Sequence, residues 1–162
     1  MTDIKKIYDF ASWPAESIIA KDDIDSEINF RLDTDTGFRL IERYPMPYPK
    51  SYEDVYAGEE DADVRISVRV INCDSFDQAK ERLINHLSQC VAPGLPQITD
   101  RLDECSADIA FGAFDGSGKA ISAVRGNALI MIKNIGSKSI DLIPLYSTVH
   151  DRINLMRQRK PE

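Results

Sequence analysis

The sequence predicts a single α+β domain of two layers, in which a mainly antiparallel sheet of five to six strands is covered on one face by two amphipathic helices. The strand-like segments come in runs joined by short turns, which is typical of antiparallel sheets. Two longer segments repeat apolar residues at helical spacing, so each has one face to bury. A chain of 162 residues suits one domain with its own core, and residues 1–162 are assigned to it.

The N-terminal segment, residues 1–27, shows the weakest pattern. Ile4, Ile7 and Tyr8 share one face of a short helix that Thr2 can cap. A helix this short needs packing to survive, so the segment can be partly mobile.

The first hairpin is predicted over residues 28–44, where alternating apolar residues flank turn-forming residues at 33–37. The clearest strand follows at residues 63–73. Four aliphatic residues there alternate with polar ones that include Arg65 and Arg69, so the two sets face opposite sides of a sheet.

Ser75 and Gln78 form a capping box that begins the first long helix. A meander of three strands is predicted over residues 107–134, with Gly126-Asn127 as either a tight turn or a bulge. Asp141 caps the last helix. The apolar stripes of the two helices are Phe76, Ala79, Leu83, Leu87 and Cys90 in the first, and Leu142, Leu145, Tyr146, Val149, Ile153 and Met156 in the last.

The segment between the first hairpin and the clearest strand, residues 44–63, is predicted to be a long loop that contacts another protein. Prolines keep its start extended, and loops of this length inside a domain are usually functional or disordered. Tyrosine is enriched at protein interfaces. The candidate partner-binding residues are Tyr48, Tyr52, Tyr56, Glu59, Glu60 and Asp61. The alternative is that these rings shield one end of the core.

Charge restricts the partners. The chain carries 27 acidic and 20 basic residues, a net charge of −7. This balance argues against nucleic acid, which attracts cations, and favours a protein with a basic surface. No apolar run approaches the ~20 residues that cross a bilayer, so no membrane partner is predicted. No unbroken hydrophobic stretch follows the N-terminus, so we expect a cytoplasmic protein.

Catalytic motifs are missing from the sequence. It has no GxSxG, HExxH, GxGxxG or CxxC, and its three cysteines indicate neither a disulfide framework nor a zinc site. We therefore predict no catalytic residue, no metal ligand and no cofactor, which favours a protein that is not an enzyme without excluding one. His86 and Cys90, four residues apart on a predicted helix, can meet, but Cys90 lies in the apolar stripe, where a thiol acts as a small hydrophobe.

Three functions remain open. The first is a small acidic protein-binding module, like a toxin-neutralising immunity protein or an enzyme inhibitor. The second is an export chaperone or assembly factor that forms a homodimer. The third is an enzyme or small-ligand-binding protein with a pocket between sheet and helices, for which Arg65 and Arg69 are the first candidates.

Overall fold

The chain folds around one antiparallel sheet of six strands, accompanied by three helices, in the part of the chain that the structure describes. In this computed structural model the described residues are 3–19, 30–32, 36–47, 50–89, 95–102, 106–113 and 119–158. The strands are β1 (Phe38–Pro47), β2 (Lys50–Gly58), β3 (Arg65–Asn72), β4 (Ile109–Ala113), β5 (Ala120–Arg125) and β6 (Ala128–Asn134). The helices are α1 (Ile4–Ile7), α2 (Phe76–Ser88) and α3 (Leu142–Gln158).

The strand order is β1-β2-β3-β6-β5-β4, and every neighbouring pair is antiparallel. The predicted α+β class and antiparallel sheet are therefore confirmed. Strand β6 is apolar on much of both faces, as strands buried on both sides are, whereas β3 alternates apolar residues with Arg65, Ser67 and Arg69. A two-residue turn with Gly126 at φ 56° joins β5 to β6, so the Gly126-Asn127 pair forms a turn and not a bulge.

The two long helices lie on opposite faces of the sheet, so the prediction that both cover one face is wrong. Residues of α3 share a buried cluster with Ile130 and Ile132 of β6. Residues of α2 belong to a second cluster, which contains Leu129 of the same strand. Because neighbouring residues of a strand point to opposite faces, the protein has three layers, helix, sheet and helix. Consecutive apolar residues in β6 carry no signal of which helix each will meet.

The first hairpin also differs from the prediction. It pairs β1 with β2, so the predicted loop at residues 44–63 consists mostly of strand, and residues 30–32 are outside any strand. Phe30 and Leu32 are instead buried against the α3 side of the sheet. Pro45 and Pro47 are compatible with β1 because it is an edge strand, where a missing N–H need not break the ladder.

The helix starts follow the sequence closely. Ser75 Oγ accepts a hydrogen bond from Gln78 N at 3.1 Å, and Asp141 Oδ1 accepts one from Ile143 N at 3.1 Å. The short α1 is capped by Asp3, whose Oδ1 accepts from Lys5 N at 3.1 Å. The predicted cap, Thr2, lies outside the described residues.

Candidate functional site

The predicted tyrosine surface is divided by the structure. Tyr48 lies outside the described residues, and Tyr52 is 41% exposed beneath the guanidinium of Arg43, 4.5 Å from its ring centroid. Tyr56 is fully buried: its hydroxyl donates to Asp54 Oδ2 at 3.1 Å and accepts from Leu32 N at 3.0 Å. Burial and the Asp54 charge raise the pKa of this phenol. Tyr56 is therefore a core residue that cannot contact a partner in this fold.

An ion pair explains why the Tyr56 end of the hairpin is closed. Arg43 donates to both carboxylate oxygens of Asp54 at 2.7 Å. Its Nη2 also donates to the carbonyl oxygen of Phe30 at 2.7 Å. A bidentate pair of this kind fixes geometry as well as charge. It anchors residues 30–32 over Tyr56, which excludes the ring from solvent.

The predicted acidic residues lie on the turn between β2 and β3, residues 58–64, which we call the acidic turn. Gly58 N donates to Val64 O at 2.9 Å, and Val64 N donates to Asp61 O at 3.1 Å. Asp61 Oδ2 pairs with Lys138 Nζ at 2.7 Å, and this pair lowers the pKa of the Asp61 carboxyl. Glu59 and Glu60 are exposed.

The backbone of the acidic turn is closely packed. A Cβ added at Gly58 would lie 2.7 Å from the carbonyl oxygen of Asp61, and one at Gly136 would lie 2.3 Å from that of Asp63. Distances below 3.0 Å are not found for real Cβ atoms, so both positions require glycine. The turn is thus held in one conformation against the loop after β6.

The six predicted residues do not form one continuous patch. Tyr52 and Gly58 lie on one strand, and at about 3.3 Å per residue they are about 20 Å apart. Glu59, Glu60 and Asp61 follow Gly58, so the carboxylates and the Tyr52 ring lie towards opposite ends of β2. The acidic turn is therefore a candidate contact surface that does not include the tyrosines.

A second candidate lies on the face of the sheet that α2 covers, here called the α2 face. Helix α2 packs over β5 and β6 and leaves the β2 and β3 side of this face open. A cavity of about 230 Å³, the sheet cavity, lies there. Its lining residues come from four neighbouring strands: Glu53, Ser67, Arg69, Ala120, Met131, Ile132 and Lys133.

Strand register brings the polar lining residues together. Ser67 pairs with Lys133 across β3 and β6, and Glu53 pairs with Arg69 across β2 and β3. Ser67 Oγ donates to Glu53 Oε1 at 3.0 Å, and Arg69 Nε donates to Ser51 Oγ at 2.9 Å. Of the two arginines named from the sequence, Arg69 lines the cavity and Arg65 is exposed outside it.

The electrostatics of the sheet cavity are dominated by cations. Burial lowers the pKa of His86, and the charges of Lys133 and Arg69 lower it further. Burial also lowers the pKa of Arg69, an effect that Arg82 increases and Glu53 opposes. A concentration of positive charge in a chain of net charge −7 favours binding of an anion.

The structure gives no support for thiol or metal chemistry in its described part. Cys90, the predicted neighbour of His86, lies outside the described residues. Burial raises the pKa of the Cys73 thiol to about 11, so Cys73 is protonated at neutral pH and is not a nucleophile. Among the described residues, no group of three or more His, Cys, Asp or Glu could hold a metal ion.

A buried polar network on the α3 face, the opposite face of the sheet, was not found from the sequence. Arg125 is fully buried; its Nε donates to His150 Nδ1 at 3.0 Å and its Nη2 donates to Asn154 Oδ1. His150 lies outside the apolar stripe predicted for its helix, yet it is 9% exposed. The network joins β5 to α3 through the buried Arg125 and His150 and the half-buried Asn154, which indicates a structural role.

Comparison with known proteins adds no relative: no family model, no curated protein and no solved structure matches this chain. Within the described residues, no helix has both the length and the apolar character needed to cross a membrane.

Proposed function

We propose that this protein is a non-catalytic module that binds a protein with a basic surface, in the manner of an immunity protein or inhibitor. The observation that carries the proposal is the acidic turn. Glu59 and Glu60 project from a backbone that is fixed by hydrogen bonds and by two closely packed glycines. A rigid charged turn loses little entropy on binding and can speed encounter with a partner of opposite charge.

The carboxylates of the acidic turn do not have an evident structural task. Asp61 caps the backbone at Asp63 and pairs with Lys138, whereas the Glu59 and Glu60 carboxylates make no hydrogen bond or ion pair among the described residues. Like charges placed close together repel one another and disfavour the compact state. Their retention on a fixed turn therefore favours a role outside the fold. The proposed site of action is the cytoplasm.

The test begins with capture of the partner from cell extract and measurement of its association with the purified chain. The test variant is Glu59→Lys with Glu60→Lys. We expect it to slow association about tenfold or more at low salt and to weaken the salt dependence. The matched control is Asp100→Lys with Asp151→Lys, which changes the net charge equally at two other exposed positions.

Equal slowing by the test and control variants would reduce the effect to net charge and contradict the proposal. A partner that binds only as an unfolded segment to a dimer of this chain would support the chaperone hypothesis instead.

A further inference from the structure

We propose that the sheet cavity binds a doubly charged oxyanion, namely a phosphate group, either as the free ion or esterified to a small molecule. This inference goes beyond the proposed function, because it concerns a different surface and a different class of ligand. It depends on the residues that line the cavity and on the register that positions them.

The charge at the sheet cavity favours an anion. Arg69 and Lys133 line it, and Arg82 lies near enough to act on the Arg69 charge. Glu53 is the single carboxylate in the lining. The lining itself has two cations and one carboxylate, a surplus of one positive charge, and Arg82 outside the lining adds its field to that of Arg69. The site therefore attracts an anion that can carry more than one charge, such as phosphate.

The donor groups suit phosphate recognition. An arginine guanidinium presents several N–H groups in a planar fork, and a lysine ammonium adds a compact point charge. Ser67, whose hydroxyl already donates to Glu53, lies directly across from Lys133 in the β3–β6 ladder and holds that carboxylate in place. Because these residues project from paired strands rather than from loops, the strand register fixes their backbone positions before any ligand arrives.

The dimensions of the cavity also restrict the ligand. Its volume of about 230 Å³ is below the range of about 300–1,000 Å³ typical of pockets for drug-sized ligands. The lining also includes Ala120 and Met131, and apolar walls strengthen the attraction between charges by lowering the local dielectric constant. A small anion fits this site better than a nucleotide or another large cofactor.

His86 reports on occupancy of the sheet cavity. Lys133 on β6 and Arg69 on β3 both lower its pKa, and Arg82 lies one turn away on its own helix. An anion bound between these cations would reverse their effect. The chain has two histidines, so their ring resonances can be assigned by NMR with a single His86→Gln variant.

The experiment measures the His86 pKa by NMR with inorganic phosphate, glycerol phosphate or acetate at constant ionic strength. We expect both phosphates to raise it saturably, by about one unit, at millimolar concentrations. Acetate should have a much smaller effect because it offers two oxygens to the arginine and lysine donors and has no second proton to lose, whereas cations around a bound phosphate favour its doubly charged form. Tighter binding of glycerol phosphate than of inorganic phosphate would identify an esterified ligand, and the reverse order would identify the free ion.

Two variants test the location of the site. Arg69→Gln with Lys133→Gln should weaken phosphate binding about tenfold or more. Ala120→Leu should weaken it without removing a charge, because the larger side chain fills the cavity. The matched control, Arg65→Gln with Lys6→Gln, removes two exposed cations outside the cavity and should leave binding unchanged.

Absence of a saturable phosphate effect on wild-type His86 would overturn the inference. So would an equal effect of acetate, or unchanged binding in both the double variant and Ala120→Leu.

Discussion

Two arginines, one on each face of the sheet, occupy environments that differ in what surrounds the charge. Arg125 on the α3 face is fully buried and donates to neutral acceptors on α3, the His150 imidazole and the Asn154 amide. Arg69 on the α2 face borders a cavity and has Arg82 and Lys133 as neighbouring cations. The first arginine joins a strand to a helix, whereas the second adds to a positive field beside an open volume.

The difference shows how charges that stabilise the fold can be separated from charges that bind a ligand when only the structure is used. A buried charge that stabilises the fold has its hydrogen bonds completed by fixed groups, because an unpaired one would be costly. Charges of one sign gathered beside a cavity do the opposite and raise the energy of the empty site. The predictions below test this contrast through its energetic consequences.

The largest effect is expected on the α3 face. Arg125→Met would leave the buried His150 acceptor and the half-buried Asn154 acceptor without their donor, so we expect a loss of about 2–5 kcal/mol in the free energy of unfolding. Urea denaturation measures it. Arg125→Lys, which keeps the charge but cannot reach both acceptors, should also destabilise. A loss below about 1 kcal/mol for Arg125→Met would mean that the network is not structural.

The Arg43–Asp54 pair provides a second, less enclosed example on the same face. Asp54→Asn removes the carboxylate that pairs with Arg43 and should lower the free energy of unfolding by about 1–3 kcal/mol. The loss is smaller than for Arg125 because the Arg43 side chain is 21% exposed. A double-mutant cycle with Arg43→Gln measures the coupling. Additive effects of the two substitutions would contradict a direct contribution of the pair.

Local signals predicted much of the fold. The strict alternation around Arg65 and Arg69 located β3, and the Ser75 capping box located the start of α2. The first hairpin was misplaced because the residues before position 33 alternate like a strand, and because the prolines after Tyr44 were interpreted as the extended start of a loop. An edge strand such as β1 also accommodates Pro45 and Pro47. The placement of helices on two faces depends on tertiary packing, for which the apolar strands give no local signal.

The candidate sites were predicted less well. Alternation marked Arg69 as facing away from the core, but its neighbours Glu53 and Lys133 come from strands that meet β3 only through tertiary register. Tyr56 was assigned to a contact surface because its segment was predicted to be a long loop and tyrosine is enriched at interfaces. Nothing in the local sequence reveals that Asp54 accepts from its hydroxyl and that Arg43 closes over the pair. The exposure of Glu59 and Glu60 follows from the turn alone.

Acidification should lower the free energy of unfolding through His86 on the α2 face, by an intermediate amount. In the unfolded chain His86 takes up a proton near pH 6.5, but in the folded chain burial, Lys133 and Arg69 lower its pKa. The contribution of His86 to stability is therefore complete above about pH 6.5 and is lost as the pH falls towards the folded value, by at most about 1.4 kcal/mol per pH unit.

Urea denaturation between pH 7.5 and 5.5 would measure this loss, with His86→Gln as the comparison. The variant should lose less stability than the wild type over this interval. An identical slope in both proteins would mean that the surrounding cations do not act on His86 as described.

The smallest change in the free energy of unfolding is expected for a substitution at Arg69, which borders the sheet cavity. Replacing it with Gln removes a hydrogen bond to Ser51, worth about 0.5–1.5 kcal/mol, together with its attraction to Glu53. The same change relieves the burial of a charge and its repulsion by Arg82. These contributions oppose one another, so we expect Arg69→Gln to change the free energy of unfolding by less than about 1 kcal/mol.

Urea denaturation of Arg69→Gln beside Arg125→Gln makes the comparison direct, because the same substitution is made on each face. Phosphate binding should be weakened in the first variant and stability in the second. A loss at Arg69 as large as that at Arg125 would place both arginines among the structural charges. The positive field of the sheet cavity would then be a consequence of how the strands pack, and the argument for a ligand there would fail.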